Sequence, residues 1–345
     1  MTVPVTVVSP PPHPALPARW YVDPAVLDAE RRLLLGEGWH YVGDATPVAE
    51  PSSFVTVEVG DTPVVITRDA HGALHALVNV CRHRGAQVAT GCGTASGLSC
   101  RYHGWSYHLD GRVRGTVGTP VPDGVALPRV WVETVGPLLF VSLVEPTRPV
   151  HDELAPLLAL VETVSEVDIT TIALRGQRGH SIAGNWKTTV ENFIECYHCP
   201  LVHPVTLPTY GRDDYVVTTH DRLQTQEFAA DRFSFGYLFP DTQISVYGNG
   251  GAVVVRQLVA VAVGRTDVRL DFWFTPDTPE EAAQEWIAFF ESVIAEDEPM
   301  IEAAQRGLAT GSLDHGWLHP VREQGLVHFQ NLVRGGLTPT LNAEA

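Results

Sequence analysis

Residues 81–105 read CRHRGAQVATGCGTASGLSCRYHGW, and this stretch decides how the rest of the chain is read. Cys81 and His83 form a C-x-H pair, and Cys100 and His103 form a C-x-x-H pair, with sixteen residues between the two. Gly85 and Gly104 follow the histidines and free the backbone to turn at the tip of each loop. Two thiolates on one metal and two imidazoles on another is the ligand set of a mixed-ligand 2Fe-2S cluster. A Cys2His2 zinc site would use the same atoms, but zinc fingers pair cysteine with cysteine and histidine with histidine. A cluster of this kind passes single electrons, so a second redox centre is expected to receive them.

Outward from that stretch, the 345 residues suggest about two domains. A formal charge of −17 argues against nucleic acid or an anionic membrane as partner. No apolar run approaches the ~20 residues needed to cross a bilayer. The N-terminus, MTVPVTVVSPPPHPALPARW, has neither a basic start nor a long apolar segment, which speaks against a secretory signal. Its prolines suggest an extended arm. Five cysteines, two of them placed in the cluster, are not a disulfide framework, and a reducing cytoplasm fits.

Asp23-Pro24 reads as an N-cap and first-turn proline, with Leu27, Leu33 and Leu34 on one apolar side and Gly36 as terminator. From Phe54 the runs FVTVEV, PVVITR and ALHALVNV, separated by turn-forming residues, predict strands. SYHLDGRVRG predicts a hairpin about Asp110-Gly111. Strands near 129–133 and 138–143 complete an all-β cluster domain over residues 40–150, preceded by the arm and helix of 1–39. A helical segment near 153–164 opens a second domain, 151–345. Its long runs ISVYG, AVVVRQLVAVAVG and DVRLDFWFTP suggest antiparallel strands. The glycine-rich GNGGAV of 248–253 reads as a strand turn and not as a nucleotide fingerprint.

NWKTTVENFIECYHCPLVHP, residues 185–204, is of another kind. Glu195 and His198 are three apart and would share a helix face. His198 and His203 are five apart, about 140° around a straight helix, so a turn distorted by Pro200 is needed to aim both at one ion. Two histidines and a carboxylate make the facial triad of non-haem Fe(II) oxygenases. The third ligand is sought on a C-terminal helix that Thr278-Pro279-Glu280-Glu281 would open as a capping box. There Trp286, Phe289, Phe290, Val293 and Ile294 form an apolar stripe, and Asp297 falls within it. Glu296 falls at its margin, and Glu291 and Glu298 fall off it. A lone carboxylate aimed at a core needs a partner or a metal; the alternative is an N-cap for a helix restarting at Pro299. Cys196 and Cys199 spell C-x-x-C, which allows a redox disulfide, although packing cysteines are expected. His40, His71, His75, His108, His315, His319 and His328 have no ligand spacing and read as surface or packing residues.

The loops CRHRG and CRYHGW resemble those of the Rieske non-haem iron oxygenases. The extra loop disulfide of respiratory Rieske proteins has no counterpart, since Cys92 has no local partner. Asn192, Glu195, His198 and His203 match that family's N-x-x-D/E-x-x-H-x4-H helix, and EDEPMIEAAQRGL is similar to its acidic segment. The resemblance implies an α+β chain, an all-β Rieske domain joined to a helix-grip catalytic domain with an antiparallel sheet and a long C-terminal helix. It implies a homotrimer in which the cluster of one subunit serves the iron of its neighbour, with Glu195 as the bridge and Asn192 beside it. It also implies O2 as co-substrate and NAD(P)H electrons delivered by a separate flavin/iron-sulfur reductase, with or without a ferredoxin. ECYHCPLVHP looks like the branch acting on choline, glycine betaine, carnitine and proline betaine. Phe193 and Tyr197, with Phe228, Phe233, Phe235, Tyr237, Phe239, Tyr247 and Trp273, could cage an ammonium ion. The alternatives are hydroxylation, dihydroxylation or O-/N-demethylation of an aromatic or natural-product substrate, or an electron carrier with a degenerate second domain.

Overall fold

The structure is a computed structural model that describes residues 11–206 and 215–341. The first half of the proline-rich arm lies outside the described residues. The chain opens with strand β1 (His13–Pro17) and helix α1 (Pro24–Leu33). Asp23 caps α1 as expected, its side chain accepting a hydrogen bond from the Ala25 N–H at 2.9 Å.

The all-β domain follows. Its strands are β2 (His40–Asp44), β3 (Ser53–Val59), β4 (Thr62–Arg68), β5 (Leu74–Val78), β6 (Cys92–Thr94), β7 (Leu98–Ser99), β8 (Ser106–Tyr107), β9 (Val113–Gly115), β10 (Arg129–Val135) and β11 (Leu138–Ser142). Seven of them form one sheet in the order β2-β11-β10-β5-β4-β3-β6, and β7-β8-β9 form a second, smaller one. The run Val64-Val65-Ile66 is apolar without alternation because β4 is covered on both faces. Val64 and Ile66 pack with Val42, Leu139 and Val141. Val65 faces the other way, into the core beneath Cys81, Cys100 and Trp105.

Helix α2 (Val150–Leu160) leads to a second antiparallel sheet. Its strands are β12 (Ala173–Ile182), β13 (Val216–Thr219), β14 (Leu223–Phe228), β15 (Phe233–Leu238), β16 (Thr242–Tyr247), β17 (Ala252–Ala262) and β18 (Arg265–Phe274). They lie in the order β12-β18-β17-β16-β15-β14-β13. Helices α3 (Trp186–Phe193) and α4 (Cys199–Val202) sit between β12 and β13. Helix α5 (Glu280–Leu308) lays Ile287, Phe290, Ile294 and Ile301 against Val254, Leu270 and Phe272 of the sheet. The chain ends with β19 (His315–Leu318), which pairs with β1, and α6 (Gln324–Leu341). The opposite sheet face packs on α2 and on Trp39, Tyr41 and Phe140 of the first domain, so both domains share this core. Gly236 permits that packing, since a Cβ there would stand 2.5 Å from Leu157.

One local expectation is corrected and one alternative is removed. Thr278 does not cap α5: Pro279 takes the N-cap position, and the Thr278 hydroxyl donates to the Gly250 carbonyl at 3.2 Å instead. The helix also runs through Pro299 without restarting, so Asp297 is not an N-cap.

Buried polar groups fasten α1, α3 and α6 together. Lys187 Nζ meets Glu30 Oε1 at 2.6 Å with both side chains fully buried, and the Trp186 indole donates to Glu30 Oε2 at 2.7 Å. Glu191 Oε1 accepts from the Tyr21 hydroxyl and from Gln330 Nε2, each at 2.7 Å. Burial pushes the Glu191 carboxyl up to about 7, against the opposing pull of those donors and Lys187. The folded chain therefore binds a proton here that the unfolded chain has lost. The resulting stability is present at low pH and disappears as pH rises through about 7. Glu191→Gln keeps the acceptor oxygen without the charge. It should be more stable than the parent by about 1–3 kcal/mol at pH 8, with the gap closing towards pH 5, as read by denaturant melts.

Candidate metal centres

The two loops of the first domain have the same backbone frame. In each, the glycine N–H donates to the cysteine carbonyl at 3.0 Å: Gly85 to Cys81, and Gly104 to Cys100. In each, the cysteine N–H donates at 2.8 Å to the residue after that glycine, Ala86 or Trp105. Gly85 and Gly104 have φ of 78° and 73°, the left-handed region that glycine enters without strain. Cys81 and Cys100 are buried and His83 and His103 are exposed. The imidazole centroids lie 4.6 Å apart, and His83 stacks on Trp105 at 5.1 Å. Tyr107 accepts from the Arg82 N–H at 2.9 Å, which leaves its own O–H for Cys81 Sγ at 3.1 Å. Burial and the neighbouring Cys81 hold that phenol well above its ordinary pKa. Two buried sulfurs and two solvent-edge imidazoles suit a cluster with one inner and one outer iron.

In the second domain, His198, His203 and Asp297 converge. Asp297 Oδ1 lies 3.3 Å from His198 Nε2 and 3.1 Å from His203 Nε2. Asn192 Nδ2 donates to the same oxygen at 3.3 Å. The far imidazole nitrogens each meet a second carboxylate: His198 Nδ1 to Glu195 Oε1 at 2.5 Å, and His203 Nδ1 to Glu296 Oε2 at 2.7 Å. Thr206 steadies Glu296 from the other side at 2.7 Å. A carboxylate behind each imidazole fixes its tautomer and turns Nε2 towards a common point, the arrangement that orients metal-binding histidines. Burial disfavours charge on His198, but Asp297 and Glu195 outweigh it and hold the group up to about 10. His203 is raised as well, because Asp297 and Glu296 outweigh its burial. Three carboxylates around two imidazoles make a site that calls for a cation, and one of nitrogen and oxygen donors suits iron.

The local backbone differs from the expected kinked helix. Helix α3 ends at Phe193, and α4 begins at Cys199 with Pro200 in its first turn. Glu195 and His198 therefore lie in a break and do not share a helix face. They meet because Glu195 Oε2 accepts from the backbone N–H groups of Tyr197 and His198. Gln224 and Gln226 of β14 both donate to the Ile194 carbonyl, at 2.9 and 2.5 Å, and pin the break. Cys196 and Cys199 are bonded as a disulfide, contrary to the packing role expected of them. Cys199 Sγ lies 3.9 Å from His198 Nε2, but as half of a disulfide it offers no thiolate to a metal.

A cavity of about 90 Å3 opens onto His198, His203 and Asp297. Of the aromatic residues singled out in the sequence, Phe193, Phe228, Phe233, Phe235 and Tyr247 line it. Phe233 stacks on Tyr247 at 4.3 Å, and Phe290 of α5 meets Tyr247 edge-on at 5.2 Å. Tyr197 is not part of the lining. The i, i+4 placement assumed an unbroken helix, and the ring instead points out to His319 and Arg322, 43% exposed. Tyr237 and Phe239 pack on Phe329 of α6, and Trp273 donates to the Tyr41 hydroxyl, so these three are core residues. Arg256, Gln226 and Ser245 also line the cavity and were not anticipated. The available signal was a charged residue inside the apolar run AVVVRQLVAVAVG.

The chain is similar to known proteins over both domains. The family described as Rieske 2Fe-2S domain matches residues 38–127, and the ring hydroxylating alpha subunit catalytic domain matches 167–233 and 225–338. The carnitine monooxygenase oxygenase subunit of Escherichia coli is 28% identical over 92% of each chain. The glycine betaine monooxygenase oxygenase subunit of Chromohalobacter salexigens is 34% identical over 56% of this chain and 44% of its own. The solved structure of the quaternary ammonium Rieske monooxygenase CntA with L-carnitine superposes with a TM-score of 0.82 at 26% identity, covering 94% of this chain and 96% of that one.

Three outcomes test the centres. Asp297→Ala should lower iron from about three atoms per chain to about two, leaving the cluster absorption unchanged. Glu296→Ala should retain the third iron but bind it about 10–100-fold more weakly, since it removes only the group behind His203. Tyr107→Phe should shift the cluster potential downward, because a hydrogen bond to a ligand sulfur favours the reduced state; spectroelectrochemical titration reads the shift.

Proposed function

The chain belongs to the Rieske non-haem iron oxygenases, and from that premise we propose that it hydroxylates a small quaternary or methylated ammonium compound at a carbon bonded to nitrogen. It is an oxygenase with a Rieske 2Fe-2S cluster and a mononuclear iron, using O2 and electrons derived from NAD(P)H. We assign Cys81 and Cys100 to the inner iron of the cluster, His83 and His103 to the outer one, and His198, His203 and Asp297 to the mononuclear iron. An iron held by two imidazoles and one carboxylate keeps coordination positions open and supplies O2 activation when reduced.

The protein's own groups set the geometry. Asn192 holds the Asp297 carboxylate at 3.3 Å, and Glu195 and Glu296 hold the imidazoles from behind. Glu195 touches His198 inside the site and also lines an outer apolar depression with Met300, Leu313 and Leu318. That position supports its reading as the bridge from a neighbouring subunit's cluster in a homotrimer. No flavin fingerprint is legible in the sequence, so a separate flavin/iron-sulfur reductase, with or without a ferredoxin, would load the cluster in the cytoplasm.

The aromatic cavity carries the substrate reading. Phe228, Phe233, Phe235, Tyr247 and Phe290 wall about 90 Å3 beside the converging ligands. Aromatic faces hold an ammonium ion without a carboxylate in contact with it, and the small volume suits a compound of few heavy atoms. In balance, substrate, O2, two electrons and two protons give hydroxylated substrate and water. A hydroxyl on an N-methyl carbon then collapses to formaldehyde and the demethylated amine. With a surrogate reductase and NADH, betaines, choline or carnitine should stimulate O2 uptake with matching release of aldehyde or amine. If all of them leave uptake at background while an uncharged aromatic compound raises it, the ammonium reading fails and aromatic hydroxylation replaces it.

A further inference from the structure

Arg256 is a cation in a cavity that already faces a metal site. It stands on β17 between Val254 and Leu258, which pack into the apolar cores on the same side of the sheet. Its residue exposure is 9%, and its guanidinium carbon lies 4.1 Å from the centre of the Phe193 ring. Nη1 donates to Gln243 Oε1 at 2.6 Å, while Nε is buried without a hydrogen-bond partner among the described residues. No carboxylate makes an ion pair with it among those residues, and Asp297 is engaged by both imidazoles. A buried, half-satisfied guanidinium is costly to keep unless an anion completes it. Neither iron nor a bare ammonium ion can do so, because both carry like charge. A carboxylate can, through the planar donor fork of arginine.

We propose that Arg256 binds the carboxylate of the substrate, so that the substrate is a zwitterion carrying ammonium and carboxylate on one small molecule. The ammonium half rests on the preceding reading of the aromatic wall; the carboxylate half rests on Arg256 alone. The cavity then has two poles. The aromatic rings of β14, β15 and β16 take the cation, Arg256 on β17 takes the anion, and the carbon bonded to nitrogen is left towards His198, His203 and Asp297. The zwitterion adds no net charge to the cavity, whereas choline would bring a second cation beside Arg256; the carboxylate that acts on Arg256, Asp297, is itself engaged by both imidazoles.

The test is calorimetric binding to the iron-loaded oxygenase, anaerobically and without reductase, so that no turnover is needed. Three probes of nearly equal shape separate the two halves. Glycine betaine carries both charges, its primary amide lacks the anion, and 3,3-dimethylbutyrate keeps the carboxylate but replaces nitrogen by carbon. Carnitine and its amide serve as a longer pair. The acids should bind about a hundredfold more tightly than their amides. Arg256→Gln should remove that preference by weakening the acids about as much, with the amides changed by less than about threefold. Arg256→Lys should restore part of it. Equal binding of acid and amide to the parent protein, or equal loss of both in Arg256→Gln, overturns the proposal; the parent comparison decides it even if the variant does not fold. If 3,3-dimethylbutyrate binds as tightly as betaine and both depend on Arg256, the carboxylate site stands and the ammonium reading fails.

Discussion

Asp297 is a carboxylate on the apolar face of a 29-residue helix, and the catalytic domain is arranged around its compensation. Its neighbours on that face, Phe290, Ile294 and Ile301, are buried against the sheet. An unpaired carboxylate there would cost several kcal/mol. Its partners flank α4, His198 at the end of the break after α3 and His203 just past Val202, so this short segment must lie against α5 at one height. Burial works to raise the Asp297 pKa, and the two imidazoles more than reverse it. The same convergence that satisfies the carboxylate leaves three donors aimed at one point. Stability and metal binding are here two descriptions of one electrostatic demand.

That demand explains where other polar groups are spent. A helix that ends inside a protein leaves carbonyls without partners, and Gln224 and Gln226 answer for Ile194. The opposite end of α3 is held by the Lys187–Glu30 pair, with the ammonium also over the rings of Tyr21 and Trp186. Such a pair adds little net stability, but each partner is poorly tolerated alone, so the pair fixes one register of α1 on α3. At the domain junction His40 Nδ1 meets Asp241 at 2.8 Å, and the Tyr41 hydroxyl donates to Asp271 at 2.6 Å while accepting from Trp273. These contacts pass between the two sheets and keep the cluster domain in one orientation on the catalytic one.

The parts legible in the sequence were those set by short, local rules. The cluster loops need only the four ligands and two glycines, all within 25 residues, and the structure gives both loops the same frame. Asp297 was legible because helical periodicity places a side chain on a face whatever the helix packs against. The break after Phe193 was not, since its cause is distant: the Ile194 carbonyl is captured by glutamines some thirty residues downstream. Tyr197 was misplaced for the same reason. Thr278 failed as a cap because the helix starts one residue later than expected, with Pro279 at the N-cap position, and the Thr278 hydroxyl is held by the Gly250 carbonyl instead. Arg256 was overlooked because a charged residue in a strand is ordinarily at an edge or facing water, and only the strand order shows β17 to be interior.

The two centres meet opposite requirements with one device. A cluster that exchanges electrons with other proteins must bring its outer ligands to the surface, and His83 and His103 are exposed while the sulfur ligands stay buried. At the second centre His203 is 1% exposed and Asp297 4%, while the His198 side chain keeps 20% of its surface open. In both places a second group behind the ligand sets its character: Tyr107 behind Cys81, Glu195 behind His198, Glu296 behind His203. Glu195 faces two ways, onto His198 and onto the outer depression beside Leu313 and Leu318. The electron bridge proposed above needs such a group, hydrogen-bonded inward and reachable from outside. The break in the helix sets this placement: Glu195 Oε2 accepts from the backbone N–H groups of Tyr197 and His198 while Oε1 meets His198 Nδ1.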